Sequence, residues 1–231
     1  EVQGSIRLPA KRAQYRHRTN AGVSTPVLSA RTAAQPPLSL SLKSLGPVRL
    51  VPVSDPADQA LWNEYVERYH PLGYKKPFGY LARYFIESGE HRLGCILLSG
   101  PAKALTARDR WIGWSDAQRQ AGLPRVVAQV RFLILPWIRC PNLASKLLSL
   151  SAAQLPADWE QRYGIRPWLL ESFVDTSRFD GICYRAANWQ GVGQSAGRGR
   201  NDRHHRLSVP TKDLYLYPLV RNFRQRLGDD P

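Results

Sequence analysis

The stretch GVGQSAGRGRNDRHHR, from Gly191 to Arg206, carries four glycines, four arginines and two adjacent histidines with one acid among them. Each arginine presents a planar fork of N–H donors suited to phosphate oxygens, and glycine lets a backbone follow a curved polyanion. Arg198, Arg200, Arg203 and Arg206 are therefore candidate nucleic-acid ligands, set against the plainer reading of a solvated loop. Contacts of this kind give affinity without base specificity. His204 and His205 are neighbours, so on an extended chain they face opposite ways and are poorly placed to share a metal. No Lys-Ser or Lys-Thr pair follows the Gly-x-Gly, which alone does not specify a nucleotide site. A second basic cluster, LGYKKPFGY from Leu72 to Tyr80, mixes Lys75 and Lys76 with Tyr74, Phe78 and Tyr80. Such interleaving grips a strand by charge and stacks its bases, or equally covers a core edge while the lysines sit in water.

A hydrolytic reading rests on the acids. Glu171 and Asp175 lie at and just after an apolar stretch, Asp109 sits in ARDRW, and His70 is a candidate proton carrier. Brought together they would bind magnesium as metal-dependent nucleases do. On an extended chain Glu171 and Asp175 share a side but stand about 13 Å apart. Asp109, between Arg108 and Arg110, reads better as an ion pair. Trp111 and Trp114, three apart on a predicted helix, share a face suited to anchoring a core.

The chain of 231 residues has 33 Lys and Arg against 18 Asp and Glu, a formal charge of +15. That field favours polyanions over small neutral metabolites, unless a basic tail inflates the total. With 43% hydrophobic residues the chain can bury the core of one domain plus a tail. Cys95, Cys140 and Cys183 lie far apart, so neither a zinc pair nor a disulfide framework is visible, and reduced thiols are expected. No apolar run reaches the length of a membrane span, and no stretch near the start suits a secretion signal, so the expected compartment is the cytoplasm, with no membrane partner. The sequence lacks methionine and begins at Glu1, which leaves the natural start open.

Residues 1–45 are polar and aperiodic and are expected to be a disordered or loosely attached basic tail; residues 46–231 are expected to form one α/β domain. Pro47–Val53 reads as a strand, followed by a helix capped by Ser54 or Asp55 with Leu61, Tyr65 and Tyr69 at helical spacing. GYLARYFIES and HRLGCILLSG flank Gly89-Glu90 as a hairpin. One helix is expected from Thr106 to Gly122, then a central strand from Val126 to Pro136. A helix capped by Asn142 and interrupted near Pro156 leads to the strand Trp168–Val174, a short helix from Thr176 or Ser177, and a closing strand Lys212–Val220. The sum is a mixed α/β fold: a central sheet flanked by helices.

From the central strand onward this order resembles the Gcn5-related acyltransferase fold. In that superfamily a loop after the central strand, of pattern Arg/Gln-x-x-Gly-x-Gly/Ala, holds the pyrophosphate of acetyl-CoA. Arg139, Asn142, Leu143 and Ala144 fall on it, with Asn142 where glycine is expected, Pro141 lacking a donor and Leu143 adding bulk. In CYRAANWQGVG, Tyr184 occupies the place of the superfamily's general acid, or else simply packs its ring and hydrogen-bonds its hydroxyl. The resemblance implies acetyl-CoA as an alternative cofactor.

The ordered series ARDRWIGW, RFLILPW, NLAS, ESFVD, GICYRAANW and GRGR is similar to the DruA family, over roughly Leu50 to Pro218. That resemblance implies a part in Druantia anti-phage defence or in transposase-associated systems. Its expected partners are nucleic acid, DNA first, and other subunits of such systems.

Overall fold

The computed structural model describes residues 25–197 and 210–228. Its core is a seven-stranded sheet of β2 (Arg49–Pro52), β3 (Leu81–Ser88), β4 (His91–Ser99), β5 (Val126–Ile134), β7 (Leu169–Val174), β8 (Gln190–Gln194) and β9 (Asp213–Pro218). Their spatial order is β2-β3-β4-β5-β7-β9-β8. All neighbours are antiparallel except β5 and β7, which run parallel and are joined by the crossover helix α5 (Leu143–Tyr163).

Alternate strand residues serve opposite faces. Ile96, Leu98, Val127 and Leu170 pack beneath α5, whose Leu143, Leu147, Leu148 and Leu155 are fully buried. Each such leucine contributes about 1.5–3 kcal/mol of burial. On the other face Phe85, Cys95 and Leu97 meet α2 (Pro56–Tyr69), which Asp55 caps by accepting from Asp58 N at 2.9 Å. Val126, Leu169, Leu214 and Leu216 on that same face meet α3 (Thr106–Ile112), α4 (Asp116–Gly122) and α7 (Phe223–Gly228).

Four local expectations change. The stretch from Thr106 to Gly122 is two helices, because Gly113 turns left-handed at φ 86° and Ser115 starts α4 with a capping box to Gln118. Helix α5 runs through Pro156 without a second segment. Asn142 precedes it at φ 63° with no side-chain cap. After β7 a turn intervenes, and α6 (Ile182–Ala186) begins behind Gly181.

Residues 1–24 lie outside the described residues, but residues 25–45 are not a loose tail. Glu64 on α2 accepts from Ser29 N at 3.0 Å, Ser29 Oγ at 2.8 Å and Thr32 Oγ1 at 3.3 Å, and Tyr69 donates to Thr32 O at 2.7 Å. Farther on, β1 (Leu38–Ser39) pairs in parallel with β6 (Ile138–Arg139), and α1 (Leu42–Leu45) buries Leu45. The polar composition of this segment conceals its role: its hydroxyls and backbone satisfy a carboxylate on a neighbouring helix. None of the described helices is long and apolar enough to cross a membrane.

Candidate nucleic-acid interface

The two parallel strands part company within the sheet. Pairing runs from Val126↔Leu169 to Gln129↔Ser172, after which β5 continues to Ile134 and β7 to Val174 without facing each other. At the last shared row the Ser172 hydroxyl lies 2.9 Å from the Tyr184 hydroxyl, and Gln129 Nε2 donates to Tyr184 at 3.4 Å. Tyr184 is brought there by α6 and held between Tyr215, stacked at 5.1 Å, and Trp189, edge-on at 5.3 Å. Burial pushes its phenol well above the usual tyrosine range. Gln129 Oε1 and Trp189 Nε1 are buried there without a partner among the described residues.

The Arg139–Ala144 loop fits a pyrophosphate poorly. Arg139 is exposed on β6, with Ser39 of β1 laid beside it, and Leu40 N donates to Arg139 O at 3.1 Å. Pro141 has no amide hydrogen, and the Leu143 amide is spent on Cys140 O at 3.2 Å. Asn142 takes the left-handed conformation that a glycine would, so only the shape at that position is kept. With Pro141 lacking a donor and the Leu143 amide spent, two of the amides that would line a pyrophosphate loop are not offered here.

The acids serve structure. Glu171 has no solvent exposure; its Oε2 accepts from Arg108 Nη1 at 2.8 Å and its Oε1 from Ala102 N at 2.9 Å. Burial pushes its carboxyl above the usual range, against the pull of the Arg108 charge. Asp109 accepts from Arg108 Nε, Leu105 N and Trp114 Nε1, as its arginine neighbours suggested. Asp175 accepts from Ser177 N and Oγ, closing the turn after β7. Glu171 and Asp175 therefore do not converge, and no group of three His, Cys, Asp or Glu residues able to hold a metal occurs among the described residues. Cys95, Cys140 and Cys183 are free thiols.

Cations converge instead beside the parted strands. Arg131 projects from β5, donating through Nε to Gly73 O at 3.3 Å and through Nη1 to Val130 O at 2.8 Å, and no carboxylate pairs with it among the described residues. His70, which ends α2, faces both Arg131 and Lys212. Burial, reinforced by those two charges, holds its imidazole down to about 4. Lys75 and Lys76 are exposed on the loop that follows Gly73, next to exposed Leu72, Phe78 and Tyr80. The acids at the border each accept a hydrogen bond, Glu67 from Tyr74 N, Asp175 from Ser177 and Asp213 from Gln194 Nε2, and Asp175 also feels the Lys212 charge.

Arg198, Arg200, Arg203 and Arg206 lie outside the described residues. Their segment is rooted where Ser195 N donates to Lys212 O at 2.9 Å and Lys212 N to Ser195 Oγ at 3.0 Å, on this same border. Sequence reasoning missed Arg131 and Lys212. A lone arginine inside the apolar run VVAQVRFLILP was the available signal for the first; for the second there was none.

A family model for the Druantia protein DruA matches residues 5–208. The chain belongs to the DruA family. No curated protein matches it. Among solved structures, this DruA chain is similar to the aminoglycoside acetyltransferase AAC(6')-Ib in complex with ribostamycin and coenzyme A, at 14% identity over 80% of this chain and 99% of that one, TM-score 0.48. An acetyltransferase from Thermus thermophilus matches at 14% identity over 74% and 96%, TM-score 0.43. A putative acetyltransferase of the GNAT family from Desulfovibrio desulfuricans matches at 10% identity over 75% and 100%, TM-score 0.42. At these TM-scores the likeness carries nothing about ligand or chemistry.

Two outcomes follow from the electrostatics. Arg108→Met strands the Glu171 carboxylate in the interior and should lower stability by about 3–5 kcal/mol in urea denaturation, with much of the loss recovered when Glu171→Met is added. His70 titrates near 4 when folded and near 6.5 when unfolded. Between those values the unfolded chain binds a proton that the folded chain refuses, so this contribution is complete above about pH 6.5 and lost as pH falls toward 4. Melting temperatures at pH 7.5 and pH 5 should differ less in His70→Gln than in the unaltered protein.

Proposed function

We propose that this DruA-family chain is a cytoplasmic component of an anti-phage or transposase-linked assembly that holds nucleic acid, DNA first, by its phosphate backbone. The observation that carries the reading is Arg131, in the middle of β5, hydrogen-bonded to the Gly73 and Val130 carbonyls, with its charge and that of Lys212 both felt at His70. Arg131 is desolvated enough to fall below its usual range and still takes no carboxylate partner among the described residues. A polyanion supplies the missing counter-charge. Lys75 and Lys76 extend the face on one side. Phosphate contacts are assigned to Arg198, Arg200, Arg203 and Arg206 as well, from their residue type and spacing in the sequence.

Fluorescence anisotropy with a labelled duplex over a salt series tests this. Binding should weaken steeply with salt, and the combined change Lys75→Ala, Lys76→Ala, Arg131→Gln should flatten the slope of log K against log salt by about 2–3 through lost phosphate contacts. Salt-independent binding, or an unchanged slope, would sink the proposal.

Acyl transfer with Tyr184 as proton donor is a second reading. It is favoured by the placing of the Tyr184 hydroxyl where the parallel strands part. Titration calorimetry with acetyl-CoA decides it: a binding heat together with a raised melting temperature would support it, and neither at saturating ligand would remove it.

A further inference from the structure

At the other end of the sheet, where β5 and β7 begin, a second set of cations is laid out on aromatic rings. Phe223 and Leu227, four apart on α7, are buried and seat that helix against α3 and α4. Arg224 and Arg226 are thereby left exposed. The Arg224 guanidinium lies 4.3 Å from the centre of Trp111 and 4.8 Å from that of Phe223, two rings stacked at 5.0 Å and 16°. Trp168, the residue before β7, is flanked by Arg125 at 4.7 Å and Arg226 at 5.6 Å.

Each guanidinium is also steadied by one neutral acceptor: Arg224 Nε on Trp111 O at 3.2 Å, Arg226 Nε on Asn222 Oδ1 at 2.9 Å, and Arg125 Nη1 on Arg166 O at 3.2 Å. No carboxylate pairs with any of the three among the described residues. Arg119 and Arg166 nearby are matched instead with Asp116 and Glu160. A guanidinium carries five N–H donors, so most of the donors in this array remain to be used.

We propose that Arg125, Arg224 and Arg226 form a second phosphate-binding surface, one that engages the backbone of a nucleic-acid duplex. The chemistry separates this partner from the others that a basic patch attracts. Phe223 is buried and neither Trp111 nor Trp168 is among the exposed large apolar side chains, so unpaired bases find little ring surface to stack on, and the surface reads backbone. None of the exposed large apolar side chains belongs to it, so it has nothing to insert into a lipid surface. Guanidiniums braced flat on rings lose little freedom on meeting a phosphate, and their forks suit its oxygens.

The surface stands on the opposite end of β7 from Lys212 and Arg131, a strand length of about 20 Å away. One molecule therefore presents two cationic ends and can bridge two duplex segments. The phosphate-binding assignment does not depend on the face around Arg131, because different residues carry it; the bridging alone rests on that face as well, and the protection experiment tests the assignment apart from it.

Arginine modification by phenylglyoxal, mapped by mass spectrometry on the unaltered full chain with and without a 30-base-pair duplex, tests it directly. Arg125, Arg224 and Arg226 should be protected by the duplex, and protected equally in Arg131→Gln. In the same experiment poly-glutamate should protect them less; stronger protection by poly-glutamate than by duplex would overturn the inference in favour of an acidic protein partner. The triple variant R125Q/R224Q/R226Q should lose energy transfer between donor-labelled and acceptor-labelled duplexes mixed with limiting protein, while still binding single duplexes through the other face. Unprotected arginines, or bridging that survives in a folded triple variant, would overturn it as well.

Discussion

A guanidinium with no access to water lies under the centre of the sheet, and much of the architecture follows from the need to satisfy it. Arg108 reaches from α3 to Glu171 on β7, to Ala102 O in the preceding loop and to its neighbour Asp109. Two charges withdrawn from solvent are tolerable only when each has fixed partners, because separating them leaves an uncompensated ion in the interior. The pair therefore locks α3 to the parallel strands. Through α3 it sets Trp111, on which Phe223 and Arg224 of α7 rest. A residue that reads as catalytic from its type is in fact the internal counterion that holds one half of the molecule in place.

The opposite arrangement governs the face around Arg131. There burial, reinforced by the charges of Arg131 and Lys212, holds the imidazole of His70 below its usual range. Like charges held together cost folding energy, and that cost is recoverable when an anion arrives. The contrast between Arg108, ion-paired with Glu171 inside, and Arg131, without a carboxylate partner among the described residues, separates structural charge from charge available to a ligand. The parting of β5 and β7 after Gln129 and Ser172 matters here too, since it leaves the later part of β5 without β7 beside it.

Much of the fold is legible along the chain. The hairpin around Gly89, the central strand from Val126 and the cap at Asp55 are local signals, set by turn chemistry and side-chain periodicity. Signals weakened where neighbours in space intervened. Pro156 stays within α5, whose buried leucines hold the helix to the sheet across it. The segment from residue 25 to 45 has no periodicity, because its partners are Glu64, Tyr69 and the β6 backbone rather than its own neighbours.

The order of the main strands and helices, the mixed sheet and the excess of positive charge were decided by the sequence alone, since periodicity, capping and composition act over a few residues at a time; the β1–β6 pair, the edge strand β8 and helix α7 were not. Which charges are spent and which are free was decided only by the tertiary structure. Arg108 sits in the charged stretch ARDRW and Arg131 alone in the apolar run VVAQVRFLILP, and neither context names the partner across the fold. Only the crossing of strands and helices gives the first a buried carboxylate and leaves the second without one among the described residues. Electrostatic pairing depends on distances of a few ångströms between residues far apart in the chain, and no local pattern records them.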